Sequence, residues 1–355
     1  MDTVPARRVR LHLAFNGVDV SGEIEIGEDV LSLIFTDNED GESDDLQLEL
    51  QDWNCVWLEN WLDKTVDAAA GETLKIEASI TRQGWETGDA DWTLPCGTFT
   101  LDTVNCGGPP GKVRMKASSL AFGSAIGRTQ KSHAWENVKL SAIASEIAGN
   151  GGLSLCFESG TDPFYSRKTQ SRTSDAAFLK KLCDDAGLSF KCSADKIVIF
   201  DQAAYEKQPP CLILERGGGR YLTYKLSFSA AETQYASCRV RYTDPSNGQC
   251  IEGIARVDDY DEKSESRQRM EINAKVKDAG EAKALAEKRL RLHNKYSRTA
   301  SFTLPGNPGL AAGLTVELRR FGGWNGIHLI SSAEHKVDAS GYTTKLTLRK
   351  VLGGY

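Results

Sequence analysis

The densest run of side chains able to do chemistry is Asp37-Asn38-Glu39-Asp40-Gly41-Glu42-Ser43-Asp44-Asp45. Carboxylates crowded into one turn suit a hard, oxygen-seeking cation such as Ca2+. The EF-hand loop is the usual arrangement, with oxygen ligands at positions 1, 3 and 5 and glycine at position 6. Counted from Asp37, Gly41 arrives one position early. The register fails, and the run reads as an acidic, solvated turn.

The other candidates fare no better. The histidines His12, His133, His293, His328 and His335 form neither the HxH nor the HExxH spacing that gathers a metal. His328 and His335, seven apart on one predicted strand, would face opposite sides of it if the strand is regular. No GxSxG elbow is present for a hydrolase. Carboxylates are too plentiful for counting to exclude a glycosidase pair, yet the elements assigned below leave no domain-sized region for a cell-wall hydrolase. Gly107-Gly108-Pro109-Pro110-Gly111 has prolines where a phosphate loop needs free N–H groups, and no GKS or GKT follows. Trp53, Trp57, Trp61, Trp85 and Trp92 all fall in the first third and would hold sugar rings if stacked on one exposed face. The spacing of Trp53, Trp57 and Trp61 instead predicts one helical apolar stripe, packed on a barrel or a neighbouring subunit. No catalytic, metal or cofactor-binding residue is assigned, and no cofactor is expected.

Composition narrows the class. With 355 residues, 40% of them hydrophobic and 26% charged, the chain is long enough for two or three globular domains. A formal charge of −6 provides no overall basic field for gripping nucleic acid. The nine cysteines are odd in number and irregularly spaced, without a CxxC. Cys156, Cys183 and Cys192 sit inside apolar stripes, so a reducing compartment is expected and not a disulfide scaffold. Arg7, Arg8 and Arg10 precede no apolar signal segment, and no run of about eighteen apolar residues occurs. The expectation is a cytosolically made protein with no membrane anchoring.

Two β-rich units flank a mixed one. Val9 to Phe15 alternates, Asn16-Gly17 turns, and Val18 to Ile26 continues with period two. Leu46 to Gln51, Leu74 to Thr81, Gly97 to Val104 and Val113 to Ser118 add strands, with turn-rich inserts at Asp63 to Gly71 and Gln83 to Pro95. In the middle, Leu140, Ile143, Ala144 and Ile147 mark a helix ended by Gly149-Asn150-Gly151, before a strand at Leu153 to Phe157. Ser174 caps a second helix carrying Phe178, Leu179, Leu182, Cys183 and Ala186, and Gly187 stops it. A hairpin follows: Leu188 to Cys192, a turn at Ser193 to Lys196, and Ile197 to Phe200. Gly217-Gly218-Gly219 reads as a flexible joint. Strands then return at Leu222 to Phe228, Ala236 to Tyr242 and Gly253 to Val257. A charged, mobile loop is expected at Asp258 to Arg269 and a helix at about 279–294. Final strands fall at Thr299 to Leu304, Thr315 to Arg319, Ile327 to Lys336 and Thr343 to Lys350.

The segment Ser174-Asp175…Phe178-Leu179…Leu182…Gly187-Leu188…Phe190 resembles the phage late control protein D family, baseplate hub proteins of contractile tails related to type VI secretion spike hubs. Ser32 to Asp52 with Trp57 to Trp61, and Pro305 to Leu348 with its GLTVEL and FGGWNGIHLISSAEHKVDASGYTTKLTL runs, are similar to the opening and last barrel of such hubs. The resemblance implies a mainly β fold with an α+β insert: tube-type β-barrels at 1–120 and 213–355 around an α/β domain at 121–212. It also implies a homotrimer whose six barrels ring a pore of pseudo-six-fold symmetry. No sequence repeat between the halves is visible, so that symmetry rests on the resemblance alone. The implied role is non-enzymatic: a structural baseplate hub adapting a six-fold tail tube to a three-fold central spike. Partners would be the tube, spike and other baseplate proteins, with DNA at most passing through the pore. Its place would be the virion tail baseplate or a tail-like particle, assembled in the bacterial host cytoplasm. A tail-associated cell-wall hydrolase and a carbohydrate-binding adhesin are the alternatives. The spike class usually continues into a β-helical needle, and no such repeats precede Tyr355.

Overall fold

The computed structural model describes residues 8–21, 26–41, 43–57, 59, 74–84, 90–119, 125–192, 196–229, 235–243, 245, 248–257 and 268–352. The first strands are β1 (Arg8–Phe15), β2 (Val18–Asp19), β3 (Val30–Asn38), β4 (Asp45–Gln51), β5 (Lys75–Gln83), β6 (Trp92–Gly107) and β7 (Lys112–Ser118). The middle supplies β8 (Lys131–Lys139), β9 (Ser154–Glu158), β10 (Phe164–Thr173), β11 (Ser189–Cys192) and β12 (Lys196–Phe200). The remainder supplies β13 (Leu212–Glu215), β14 (Thr223–Phe228), β15 (Tyr235–Thr243), β16 (Cys250–Arg256), β17 (Gln268–Asn273), β18 (Arg298–Pro305), β19 (Thr315–Arg319), β20 (Gly326–Asp338) and β21 (Gly341–Lys350).

Strands from both ends of the chain form one 13-stranded sheet, ordered β14-β18-β21-β20-β3-β4-β7-β6-β5-β1-β2, with β19 and β13 branching from β20. The branch has a physical cause. Along one edge β20 pairs with β19 over Gly326–Leu329, then with β3 over Ser332–Asp338, and its register against β21 slips between Ile330 and Ser332. A bulge of this kind bends a strand and re-aims its edge. It also changes the parity of the strand: Ile330 and Ala333, three apart, enter the same core. The expectation that His328 and His335 face opposite sides therefore fails, because it assumed a regular strand.

Asn16 and Gly17 turn β1 back on itself with positive φ values of 49° and 80°, the geometry a two-residue hairpin demands. The first core gathers Leu11, Leu13, Phe15, Phe99 and Met115, and takes Val337 and Tyr342 from the far end of the chain. A second core lies between the Leu140–Asn150 and Asp175–Ala186 helices and the β11-β12-β9 sheet. A third is built on Leu214, Phe302 and Leu348. A fourth, under the Ala279–Asn294 helix, joins it to the separate β16-β15-β17 sheet. The second β-rich region thus carries two cores, where one was expected.

Other differences from the sequence reading are local. β6 begins at Trp92, inside the stretch assigned to a turn-rich insert. β3, β8, β10, β13 and β17 are additional strands. Among the described residues of Val18 to Ile26, the strand covers Val18–Asp19, with an isolated bridge at Ile26, and residues 22–25 lie outside the described residues. Gly217–Gly219 is a hydrogen-bonded turn, Gly218 donating to the Glu215 carbonyl at 2.9 Å. Trp57 is buried against Phe15, whereas Trp53 is 73% exposed, so the two do not share a packed stripe. Trp61, Trp85, the Asp63 to Gly71 insert, the turn residues Ser193–Asp195 and residues 258–267 lie outside the described residues.

Candidate functional site: a buried ionic junction

The acidic run begins on the last residues of β3 and continues into the turn before β4. It is not solvated. Glu39 and Asp40 have almost no exposed side chain, and Asp37 and Asp44 little. Asp37, Glu39, Asp40 and Asp44 meet Lys191, Lys295 and Arg349 from distant parts of the chain, which makes the acidic turn a point where four cores are tied together.

Arg349, at the end of β21 and 0% exposed, donates to Glu39 Oε1 at 2.7 Å and Oε2 at 3.1 Å, and to Glu206 Oε1 at 2.6 Å. Glu206 closes the short Gln202–Glu206 helix and also faces Arg291 of the Ala279–Asn294 helix at 3.4 Å. Burial alone would pull the Arg349 guanidinium down, but the two carboxylates outweigh it and push it up. The Glu39 amide donates to the carbonyl of Ser331 at 3.0 Å, beside the β20 bulge. The ion cluster therefore sits where β20 changes partners.

Asp40 receives Lys295 at 3.1 Å, Gln202 Nε2 at 3.3 Å, Ser189 Oγ at 3.3 Å and the Phe190 amide at 3.2 Å, with Lys180 at 3.9 Å. Gly41 donates back to the Phe190 carbonyl at 3.0 Å, so the turn covers the edge of β11 with one backbone bond and one bond to the Asp40 carboxylate. Gly41 has φ +80°, and a Cβ there would meet Lys180 Cε at 3.0 Å, so glycine serves both conformation and space. Lys191 bridges Asp37 at 2.6 Å and Asp44 at 3.0 Å. Burial lowers Lys191, the two aspartates raise it further, and the net direction is up. Asp44 is pushed up to about 6, mainly by burial, against the opposing pull of Lys191. Asp37 also accepts the Ala312 amide at 2.8 Å, fixing the loop between β18 and β19.

The run expected to be a solvated turn instead holds cations of the protein itself, and among the described residues no cluster of His, Cys, Asp and Glu has metal-site geometry. Its chemistry is mechanical. A buried, multiply bonded ion cluster is a poor source of net stability but is intolerant of losing one partner, which favours one relative placement of the units it joins. The Asp175–Ala186 helix and its hairpin supply Lys180, Ser189, Phe190 and Lys191 to this junction. A sequence signal existed only for the acidic half; its partners stand far off, Lys191 154 residues from Asp37 and Arg349 310 residues from Glu39.

His335 is buried between Tyr342 Oη at 2.7 Å and the Leu310 carbonyl at 2.9 Å. His328 is buried with one ring nitrogen on the Gly326 carbonyl at 3.1 Å. Burial holds both below the usual histidine range, His328 down at about 4. No helix among the described residues is long and apolar enough to cross a membrane.

Comparison with known proteins agrees with this architecture. The chain is 24% identical over 238 residues to the probable baseplate hub protein of Escherichia phage 186, covering 66% of this chain and 56% of that protein. It is 26% identical over 220 residues to the probable baseplate hub protein of Escherichia phage P2, covering 59% and 51%. The chain thus spans about half the length of the curated relatives it matches. In fold it is similar to a tail protein from Neisseria meningitidis, with a TM-score of 0.67 at 10% identity over 96% of each chain. It is similar also to the prophage MuSo2 43 kDa tail protein of Shewanella oneidensis, at 0.61 and 14% over 96% of each. A component of the E. coli type VI secretion system matches at 0.55 and 11%, over 97% of this chain and 78% of that one. A family model described as phage tail baseplate hub (GPD) matches residues 119–341, a span holding the middle core, the fourth core and the bulged strand beside the junction, and the chain belongs to that family.

Proposed function

We propose that the chain is the structural hub of a contractile phage tail or tail-like particle, acting as a homotrimer that adapts a six-fold tail tube to a three-fold central spike. Residues 1–120 and 213–355 would be the tube-type barrel units and 121–212 the α/β module between them. Tube, spike and other baseplate proteins are its partners, its work is mechanical and non-enzymatic, and DNA passes through the pore without specific binding.

The observation that carries this reading is the seam. A symmetry adaptor must present two β units in one fixed relation, and here β3 and β20 join them in a continuous sheet beside the Glu39–Arg349–Glu206 cluster. The test is electron microscopy of the purified chain, alone and with its tube and spike proteins. A three-fold ring with a central hole is expected. A strict monomer at high concentration, with no ring on addition of either partner, overturns the reading.

A further inference from the structure

β8 and β10 form a two-stranded ribbon separate from the other sheets. Phe164 to Gln170 keep one register against Lys139 to His133, and among the described residues no strand pairs with the outer side of either. Six of the nine residues of β8 and seven of the ten in β10 are exposed, so most of the ribbon faces water on both surfaces. Its anchors are few. Trp135, with Val138 and Tyr165 half-buried beside it, ties the ribbon to the second core, stacking on Phe178 at 5.2 Å and donating to Glu146 at 2.9 Å. A ribbon of two strands is marginal in water, and a third strand ordinarily completes it.

Charge selects what that strand can be. The ribbon carries Lys131, Lys139, Arg167, Lys168 and Arg172 against a single carboxylate, Glu136, in a chain whose formal charge is −6. β10 itself has three of these cations and no acid. Arg167 is 67% exposed and only 3.8 Å from Glu136 at its nearest, Lys168 lies 4.7 Å over the Tyr165 ring, and Arg172 has no charged partner among the described residues. We propose that β10 is a docking edge for an extended, carboxylate-bearing segment of a partner protein, which joins the ribbon as its third strand. Main-chain bonds hold such a strand, and its alternating side chains meet Arg167 on one face and Lys168 on the other, with Phe164, 54% exposed, as an apolar contact at the end. The edge decides for a peptide: N–H and C=O alternate along it, whereas a phosphate chain offers acceptors alone and leaves the carbonyls unpaired. The cations decide against a second β10, because pairing like edges would set Arg167, Lys168 and Arg172 against the same three residues. This docking goes beyond the hub reading, since it holds whether or not the chain forms a ring.

The experiment is fluorescence anisotropy of a labelled peptide of alternating glutamate and valine, titrated with the full chain at low ionic strength. The comparison probes are the same peptide N-methylated at alternate amides, a peptide of alternating lysine and valine, and a short DNA duplex. The native chain should bind the glutamate peptide saturably and each of the other three at least tenfold more weakly. Arg167→Glu, Lys168→Glu and Arg172→Glu together should weaken the glutamate peptide at least tenfold, and Arg167→Gln alone by a smaller factor. Arg220→Glu, at an exposed cation outside the ribbon, should leave it unchanged. Near-ultraviolet circular dichroism, which reads the Trp135–Phe178 stack, checks that each variant is folded. Equal binding of the N-methylated peptide overturns strand addition in favour of charge alone, and tighter binding of DNA assigns the ribbon to nucleic acid instead. Self-association of the native chain that the triple variant abolishes makes a second copy the occupant and overturns the partner. No binding of the glutamate peptide, or binding indifferent to the triple variant, overturns the docking edge and leaves the hub reading intact.

Discussion

Arg349 donates to both carboxylate oxygens of Glu39, at 2.7 and 3.1 Å, across a sequence separation of 310 residues. The strand that carries Arg349 explains its position. β21 alternates inward with Tyr342, Thr344, Leu346 and Leu348, so Arg349 points to the other face, where a charged side chain would normally meet water. That face is closed by the acidic turn and by the Gln202–Glu206 helix, and the guanidinium is satisfied there by two carboxylates.

Removing the cation should therefore cost far more than a surface charge would. Arg349→Met leaves Glu39 buried beside an apolar side chain, and a loss of about 3–5 kcal/mol is expected from urea unfolding. Arg349→Met with Glu39→Leu should recover most of that loss, because Glu206 keeps Arg291. A single-variant loss below about 1 kcal/mol would mean that the cluster is solvated after all.

How much of this was legible depended on the distance between cause and effect. The Asp175–Ala186 helix was readable because its determinants are local: Ser174 Oγ accepts the Ala177 amide at 3.3 Å, and Gly187 stops the helix with φ +69°. The Ala279–Asn294 helix was readable likewise, with Asp278 accepting the Glu281 amide at 2.8 Å. β8 and β10 escaped because most of their residues are exposed and no alternation marks them. The junction escaped for a different reason. A run of carboxylates reads as solvated unless its cations are adjacent in sequence, and Lys191, Lys295 and Arg349 reach it only through the tertiary fold.

Acid should destabilise the protein through its buried histidines. His328 has a folded pKa lowered from 6.5 to about 4, so the stability it contributes is fully present above about 6.5 and is lost as pH falls through about 4. The full effect is about 3 kcal/mol, and His335 acts in the same direction. Asp44 works oppositely: raised to about 6 from 3.8, its ionisation penalty is present above about 6 and relieved as pH falls towards 3.8. Comparing His328→Asn with the native chain isolates the histidine. The variant's unfolding midpoint should depend less steeply on pH between about 6.5 and 4; parallel pH profiles would refute the assignment.

The fourth core depends on a close backbone approach. A Cβ on Gly253 would lie 2.2 Å from the Lys283 nitrogen and 2.4 Å from the Ala282 carbonyl carbon, both in the Ala279–Asn294 helix. Gly253→Ala must lift that helix off β16, and a loss of about 1–3 kcal/mol is expected from thermal unfolding. Gly248→Ala, with nothing within 4 Å but φ +70°, separates backbone strain from crowding and should cost less. Equal losses would show that conformation, and not the helix contact, governs Gly253.

Asp40 offers the sharpest test of the junction as a coupling device, because its partners come from separate parts of the chain. Lys295 follows the long helix, Gln202 opens the short one, and Phe190 lies on β11. Asp40→Asn keeps the shape and most acceptor geometry but removes the charge that Lys295, nearly inaccessible to water, requires. Asp40→Ala removes both, and is expected to cost about 3 kcal/mol or more, with the asparagine variant in between. Native-state hydrogen exchange distinguishes coupling from simple local damage. The Gly41 amide, bonded to the Phe190 carbonyl, and the Glu39 amide, bonded to Ser331 beside the bulge, should lose protection together in Asp40→Ala. Faster exchange at Gly41 with Glu39 unchanged would mean that the acidic turn releases the middle module without disturbing the seam between the two β units.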